Sequence, residues 1–109
     1  MTFDQYQEFT KKTAVYPTVG QSYVYPVMGL AGETGEVAEK VKKIFRDSDG
    51  VVTEERRDMI KKELGDVLWY VSQVAAEFGL SLEDVASHNM EKLLSRVETG
   101  TVKGDGDQR

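Results

Sequence analysis

Four carboxylates recur in one pattern. The stretch ETGEV, residues 33–37, carries Glu33 and Glu36, and ELGDV, residues 63–67, carries Glu63 and Asp66. Each pair is spaced i, i+3 with a glycine between, and the second copy follows the first by thirty residues. Acids three apart share one side of a helix. Two such pairs on packed helices would crowd four negative charges, which is unfavourable without a counter-charge. Mg²⁺ or Mn²⁺ is the natural one: hard, oxygen-seeking and content with a few carboxylates plus waters. A centre of this kind leaves positions for phosphate oxygens and for an attacking water.

The angular frame supports the pairing. At about 100° per residue, with Leu30 and Ile60 as the two zeros, Glu33 and Glu63 coincide, and Glu36 and Asp66 coincide roughly 60° further round. Val37 then matches Val67, Val41 matches Val71 and Ile44 matches Val74. The acids therefore stand on the shoulder of each apolar stripe. Gly35 and Gly65 fall on the side away from them, with Gly32 nearby, where a missing side chain lets another helix approach. Trp69 and Ala76 share that rear side. A tryptophan opposite the main stripe predicts a second buried surface and hence an oligomer.

Four helices must position these groups. Residues 2–14 read as the first, started by Thr2. Residues 16–26, YPTVGQSYVYP, hold two prolines, a glycine and three tyrosines and break any helical period. The second helix is predicted over 27–45, with Leu30, Thr34, Val37, Val41 and Phe45 on one face. The segment DSDG, residues 47–50, ends it, and Val51 and Val52 stand where a calcium loop needs a ligand and a glycine. The third helix starts at Thr53 and runs to Phe78, with Ile60, Leu64, Val67, Val71, Val74 and Phe78 as its stripe and Gly79 as its stop. Ser81 and Asp84 open a fourth over 82–97. The class is all-α, a four-helix-type bundle: one helical domain over 1–97 and a polar, glycine-rich tail over 98–109 expected to be mobile.

Composition excludes several chemistries. With 109 residues the chain makes one domain with a modest core, to which subunit contacts add. No cysteine is present, which removes disulfides, thiolate zinc sites and cysteine nucleophiles. The net charge of −5 argues against a nucleic-acid polymer as partner. No apolar run suits a membrane span or a signal sequence, so a cytoplasmic location is expected. A di-iron carboxylate bundle wants Glu-x-x-His on two helices. The single histidine, His88, has Val85 three residues before it.

The segments GLAGETGEVAEKVKK, KKELGDVLWYV and NMEKLLSR together resemble the MazG-like nucleotide pyrophosphohydrolases of the all-α NTP pyrophosphatase superfamily, over roughly residues 25–97. The resemblance implies that Glu33, Glu36, Glu63 and Asp66 bind Mg²⁺, with Mn²⁺ as a possible substitute. It also implies hydrolysis of a nucleoside or deoxynucleoside triphosphate to monophosphate and pyrophosphate, with Glu33 and Glu36 as the catalytic candidates. Many relatives carry a second glutamate directly after the first; here that position is Thr34, so a different acid must serve if that glutamate is the base.

The resemblance further assigns Tyr70 to the nucleotide, with a subunit-interface aromatic as the alternative. It assigns Asn89, Lys92 and Arg96, on one face of the fourth helix, to phosphate or sugar, with a solvated face as the alternative. Lys40 is a phosphate-binding candidate, or simply the i+4 salt-bridge partner of Glu36. Tyr16, Gln21, Ser22, Tyr23 and Tyr25 are candidates for reading the base, or for packing over the bundle end. A homodimer or dimer of dimers is expected. Phosphoribosyl-ATP pyrophosphatase activity and a non-catalytic helical binding role are the alternatives.

Overall fold

The structure, a computed structural model, describes residues 1–100. They form four helices: α1 Phe3–Thr10, α2 Val24–Ser48, α3 Glu54–Glu77 and α4 Leu82–Thr99. No strand element occurs among the described residues, only an isolated bridge between Val19 and Gln21. The boundary between domain and tail falls inside α4, which runs two residues past Val97. Residues 101–109 of the predicted tail lie outside the described residues.

Local chemistry starts and stops each helix. Thr2 forms a full capping box: its hydroxyl accepts from Gln5 N–H at 3.1 Å, and Gln5 Oε1 accepts from Thr2 N–H at 2.8 Å. Thr53 and Ser81 cap α3 and α4 by accepting from Arg56 N–H and Asp84 N–H. The second helix begins three residues earlier than its periodicity predicts. Pro26 is its third residue, where a missing N–H leaves no helical bond unmade. At the far end Asp49 and Gly50 both take left-handed backbone (φ 52° and 78°), which turns the chain back toward α3.

Helices α2 and α3 form a long antiparallel hairpin. Arg56 helps close it, donating from Nε to Ser48 Oγ at 3.2 Å. α1 lies across α3, where the Thr10 hydroxyl donates to Gln7 O at 2.7 Å and meets Ser72 Oγ at 3.1 Å, all of it buried. Gln7 also grips the start of α4: its Nε2 donates to Leu80 O and its Oε1 accepts from Leu82 N–H, both at 3.0 Å. Beyond that grip α4 diverges, and no Cα of α4 comes within 8 Å of α2.

The hairpin seam is rotated from the apolar stripe. It runs through Pro26, Gly29, Glu33, Lys40 and Ile44, roughly 80° round from the centre of the predicted stripe on α2. Some residues of the stripe face outward, with Phe45 70 % and Leu64 53 % exposed, whereas Leu30, Val37, Ile60, Val67, Val71 and Val74 are half-buried. Ile44, Ala75 and Leu82 are the buried apolar side chains outside Pro26. The radius of gyration is 16.8 Å, against about 13 Å for a compact chain of this length. One copy leaves much apolar surface uncovered, including a cleft of about 210 Å³ lined by Leu30, Val71, Val74, Ala75, Leu80 and Val85.

Candidate metal centre

Because the seam passes through the shoulders of both helices, the acids meet on it. Carboxylate oxygens of Glu33, Glu63 and Asp66 all lie within 4.8 Å of one another. Glu33 and Glu63 are half-buried and Asp66 is exposed, so the cluster opens to solvent on one side. Two oxygens on opposite sides of one Mg²⁺ stand about 4.2 Å apart. A small side-chain adjustment therefore suffices for these three to share one ion. Burial, and then the charges of Asp66, Glu63 and Glu36, raise the Glu33 carboxyl above its ordinary value of 4.5.

Glu36 stands apart from the other three. It is exposed and outside the three-oxygen cluster, though near enough to act on Glu33 electrostatically. The ammonium of Lys40 does not turn back to Glu36. It crosses the seam to Glu63, with Nζ 3.6 Å from Oε1.

Tyr70 lies beside the acids. Burial, with Tyr25, Glu33 and Asp66 nearby, raises its hydroxyl above the ordinary tyrosine value of 10.0. Its ring rests on the α2 backbone at Gly29, where an added Cβ would overlap Cε1 and Cζ. The glycine that periodicity passed over is thus the one a neighbour needs. A Cβ added at Gly32, Gly35 or Gly65, expected to make packing space, would meet nothing within 4 Å outside its own helix among the described residues.

The rear surface of Trp69 is covered from within the chain. Its Nε1 donates to Thr13 Oγ1 at 2.7 Å, and its ring meets Tyr16 edge-on at 6.1 Å. Tyr16 stacks on Tyr25 at 5.4 Å and donates its hydroxyl to Glu77 Oε1 at 2.8 Å; burial, and then that bond to the glutamate, push its pKa up to about 12. Tyr23 stacks on Phe78 at 5.1 Å. The tyrosines of the α1–α2 connection therefore pack against α3 and each other, and with Thr13 they leave Trp69 half-buried within the chain. A signal was present in the sequence: three tyrosines clustered within residues 16–26.

α4, which carries Asn89, Lys92 and Arg96, docks on α1 and α3 and has no Cα within 8 Å of α2, and no acid or histidine of α4 belongs to the cluster; Arg96 is buried.

Residues 21–101 match the MazG nucleotide pyrophosphohydrolase domain. The chain belongs to this family. The MazG match begins just before α2 and includes both acidic repeats, whereas α1 and the start of the connection precede it. Among curated proteins, the Gene 37 protein of Mycobacterium phage L5 is 47 % identical over 114 residues, covering all of both chains. The uncharacterized protein YvdC of Bacillus subtilis (strain 168) is 36 % identical over 75 residues, covering 63 % of this chain and 70 % of that one. No solved structure matches. MazG membership implies a nucleotide pyrophosphohydrolase, and the four-helix, strand-free architecture agrees with an all-α MazG fold. No helix among the described residues is long and apolar enough to cross a membrane.

Proposed function

We propose that this MazG-family chain hydrolyses nucleoside or deoxynucleoside triphosphates to monophosphate and pyrophosphate, using Mg²⁺ held by Glu33, Glu63 and Asp66. The observation that carries the reading is the convergence of those three carboxylates within 4.8 Å on one hairpin seam. The donor set is all oxygen, which suits Mg²⁺ or Mn²⁺ over softer metals. When bound, such an ion gathers phosphate oxygens and offsets their charge.

The chain's own groups supply the rest. Water attacks the α-phosphorus, the bond from that phosphorus to the bridging oxygen breaks, and pyrophosphate leaves. Glu36 takes the proton from the water, because it stands next to Glu33 without being among the three ligands. Tyr70 borders the nucleotide, and Lys40 exchanges Glu63 for a phosphate oxygen when substrate arrives.

Self-association belongs to the same reading. The exposed stripe residues Val41, Phe45 and Leu64, with Leu68 beside them and the apolar face of α4, give a second copy of the chain a surface to cover. Asn89, Lys92 and Arg96 reach a phosphate only where assembly carries α4 to an acidic cluster.

A product assay tests the reaction. Purified protein is given Mg²⁺ and a panel of canonical and modified NTPs and dNTPs, and the products are separated by chromatography. Monophosphate plus pyrophosphate, with no diphosphate, is the expected result. Release of orthophosphate with diphosphate, or no turnover in Mg²⁺ or Mn²⁺, would overturn it.

A further inference from the structure

The contact between Tyr70 and Gly29 is steric and unforgiving. A Cβ at Gly29 would stand 2.7 Å from Cδ1 of the ring and closer still to two other ring atoms. The ring's retreat is limited on a second side. Trp69 meets it edge-on on another side, with centroids 5.0 Å apart, and Trp69 is itself pinned by the Thr13 hydroxyl. A side chain wedged between a backbone and a fixed indole sets a distance.

That distance lies next to the acids. Glu33 follows Gly29 by four residues, and Asp66 precedes Tyr70 by four. On antiparallel helices both steps are about one turn in the same direction along the seam. The ring-to-backbone contact and the Glu33–Asp66 pair are thus neighbouring rungs.

We infer that Gly29 and Tyr70 are positioning residues: the ring seated on bare backbone sets the gap between α2 and α3, and through it the spacing of Glu33 and Asp66. The inference rests on reading the cluster as a metal centre. It adds that the connection preceding the family-matched segment acts on that centre, since Thr13 braces the indole that backs the ring. Alanine at Gly29 forces either the ring or the helix to move, and the hairpin opens at the neighbouring rung.

The test uses the full chain with Mn²⁺ as probe, followed by the resonance of free aqueous ion. Trp69, the single tryptophan, gives a second and metal-free readout through its emission. Gly29→Ala is expected to weaken Mn²⁺ binding by about tenfold, as loss of outer-shell support does, and to change Trp69 emission in the absence of metal. Helix weakening does not account for such a loss, because alanine is the better helix former. In the Tyr70→Leu background, where no ring is left to displace, adding Gly29→Ala is expected to change Mn²⁺ affinity by less than about twofold. An equal loss in both backgrounds would overturn the inference, as would altered emission with unaltered Mn²⁺ affinity. Failure of the unsubstituted protein to bind Mn²⁺ would overturn the metal reading instead. The ring contact is then judged by emission alone, and identical Trp69 emission in wild type and Gly29→Ala overturns it.

Discussion

The ammonium of Lys40 on α2 lies 3.6 Å from Glu63 Oε1 on α3, so a cation already stands at the edge of the acidic cluster. A resident positive charge opposes a divalent ion on its way in. Lys40→Met is therefore expected to tighten Mn²⁺ binding by about threefold at low ionic strength, with the gain shrinking as salt is added. The same substitution should raise KM for the triphosphate. Weaker Mn²⁺ binding would instead mean that Lys40 serves to hold Glu63 in place.

Asp66 and Glu36 should separate in their effects. Asp66→Asn removes a member of the three-oxygen cluster and is expected to weaken Mn²⁺ binding by at least about tenfold. Glu36→Gln is expected to leave Mn²⁺ binding nearly unchanged while lowering kcat by about a hundredfold or more. Equal loss of metal in the two variants would return Glu36 to the ligand set.

The raised pKa of Glu33 has a definite sign. The folded chain holds this proton more tightly than the unfolded chain, whose glutamate keeps the ordinary value of 4.5. Between that value and the raised one the folded state carries more protons, so stability falls as pH rises through the window. Metal-free thermal unfolding should show this decline, and Glu33→Gln should flatten it. Mn²⁺ affinity should weaken as pH falls through the same window, because ion and proton compete for one carboxylate.

Gly35 and Gly65 sit in helix interiors with open space where a Cβ would go. Gly35→Ala and Gly65→Ala should each stabilise the fold by about 0.5–1 kcal/mol, seen as a higher Tm. A lower Tm, or altered assembly on a sizing column, would show that another copy of the chain occupies that space.

Leu64 lies on the outward stripe and is more than half exposed. Leu64→Glu should shift the protein toward monomer in light scattering at micromolar concentration, because a carboxylate would have to be desolvated at the contact. An unchanged mass would place self-association on another face, with α4 the next to test.

Much of this molecule is legible in its sequence because the relevant signals are local. Thr2, Thr53 and Ser81 announce three helix starts through caps that need only the next three residues. The repeated acid spacing places Glu33, Glu63 and Asp66 on shoulders that do converge. Other features depend on what arrives from elsewhere in the chain. A helical wheel tells which side of α3 carries Trp69, but not that Thr13 and Tyr16 will cover it. Nor does it tell that the helices meet on their shoulders, which leaves Phe45 and Leu64 outside and sends Lys40 across to Glu63. Gly29 was hidden among three glycines of the same motif region, since only the path of the Tyr70 ring distinguishes it from Gly32 and Gly35.

The acidic cluster straddles two helices and belongs to neither. Glu33 comes from α2, whereas Glu63 and Asp66 come from α3. Without a divalent ion the seam closes against a negative charge that Lys40 offsets only in part, and the unfolded chain is relieved of that repulsion. Any divalent ion that needs both helices binds the closed hairpin and not the open one. Its concentration then enters the folding equilibrium directly, contributing about 2.7 kcal/mol at a hundred times Kd. If the cluster holds a divalent ion, the supply of metal is expected to set how much of the protein is folded as well as how much of it is loaded.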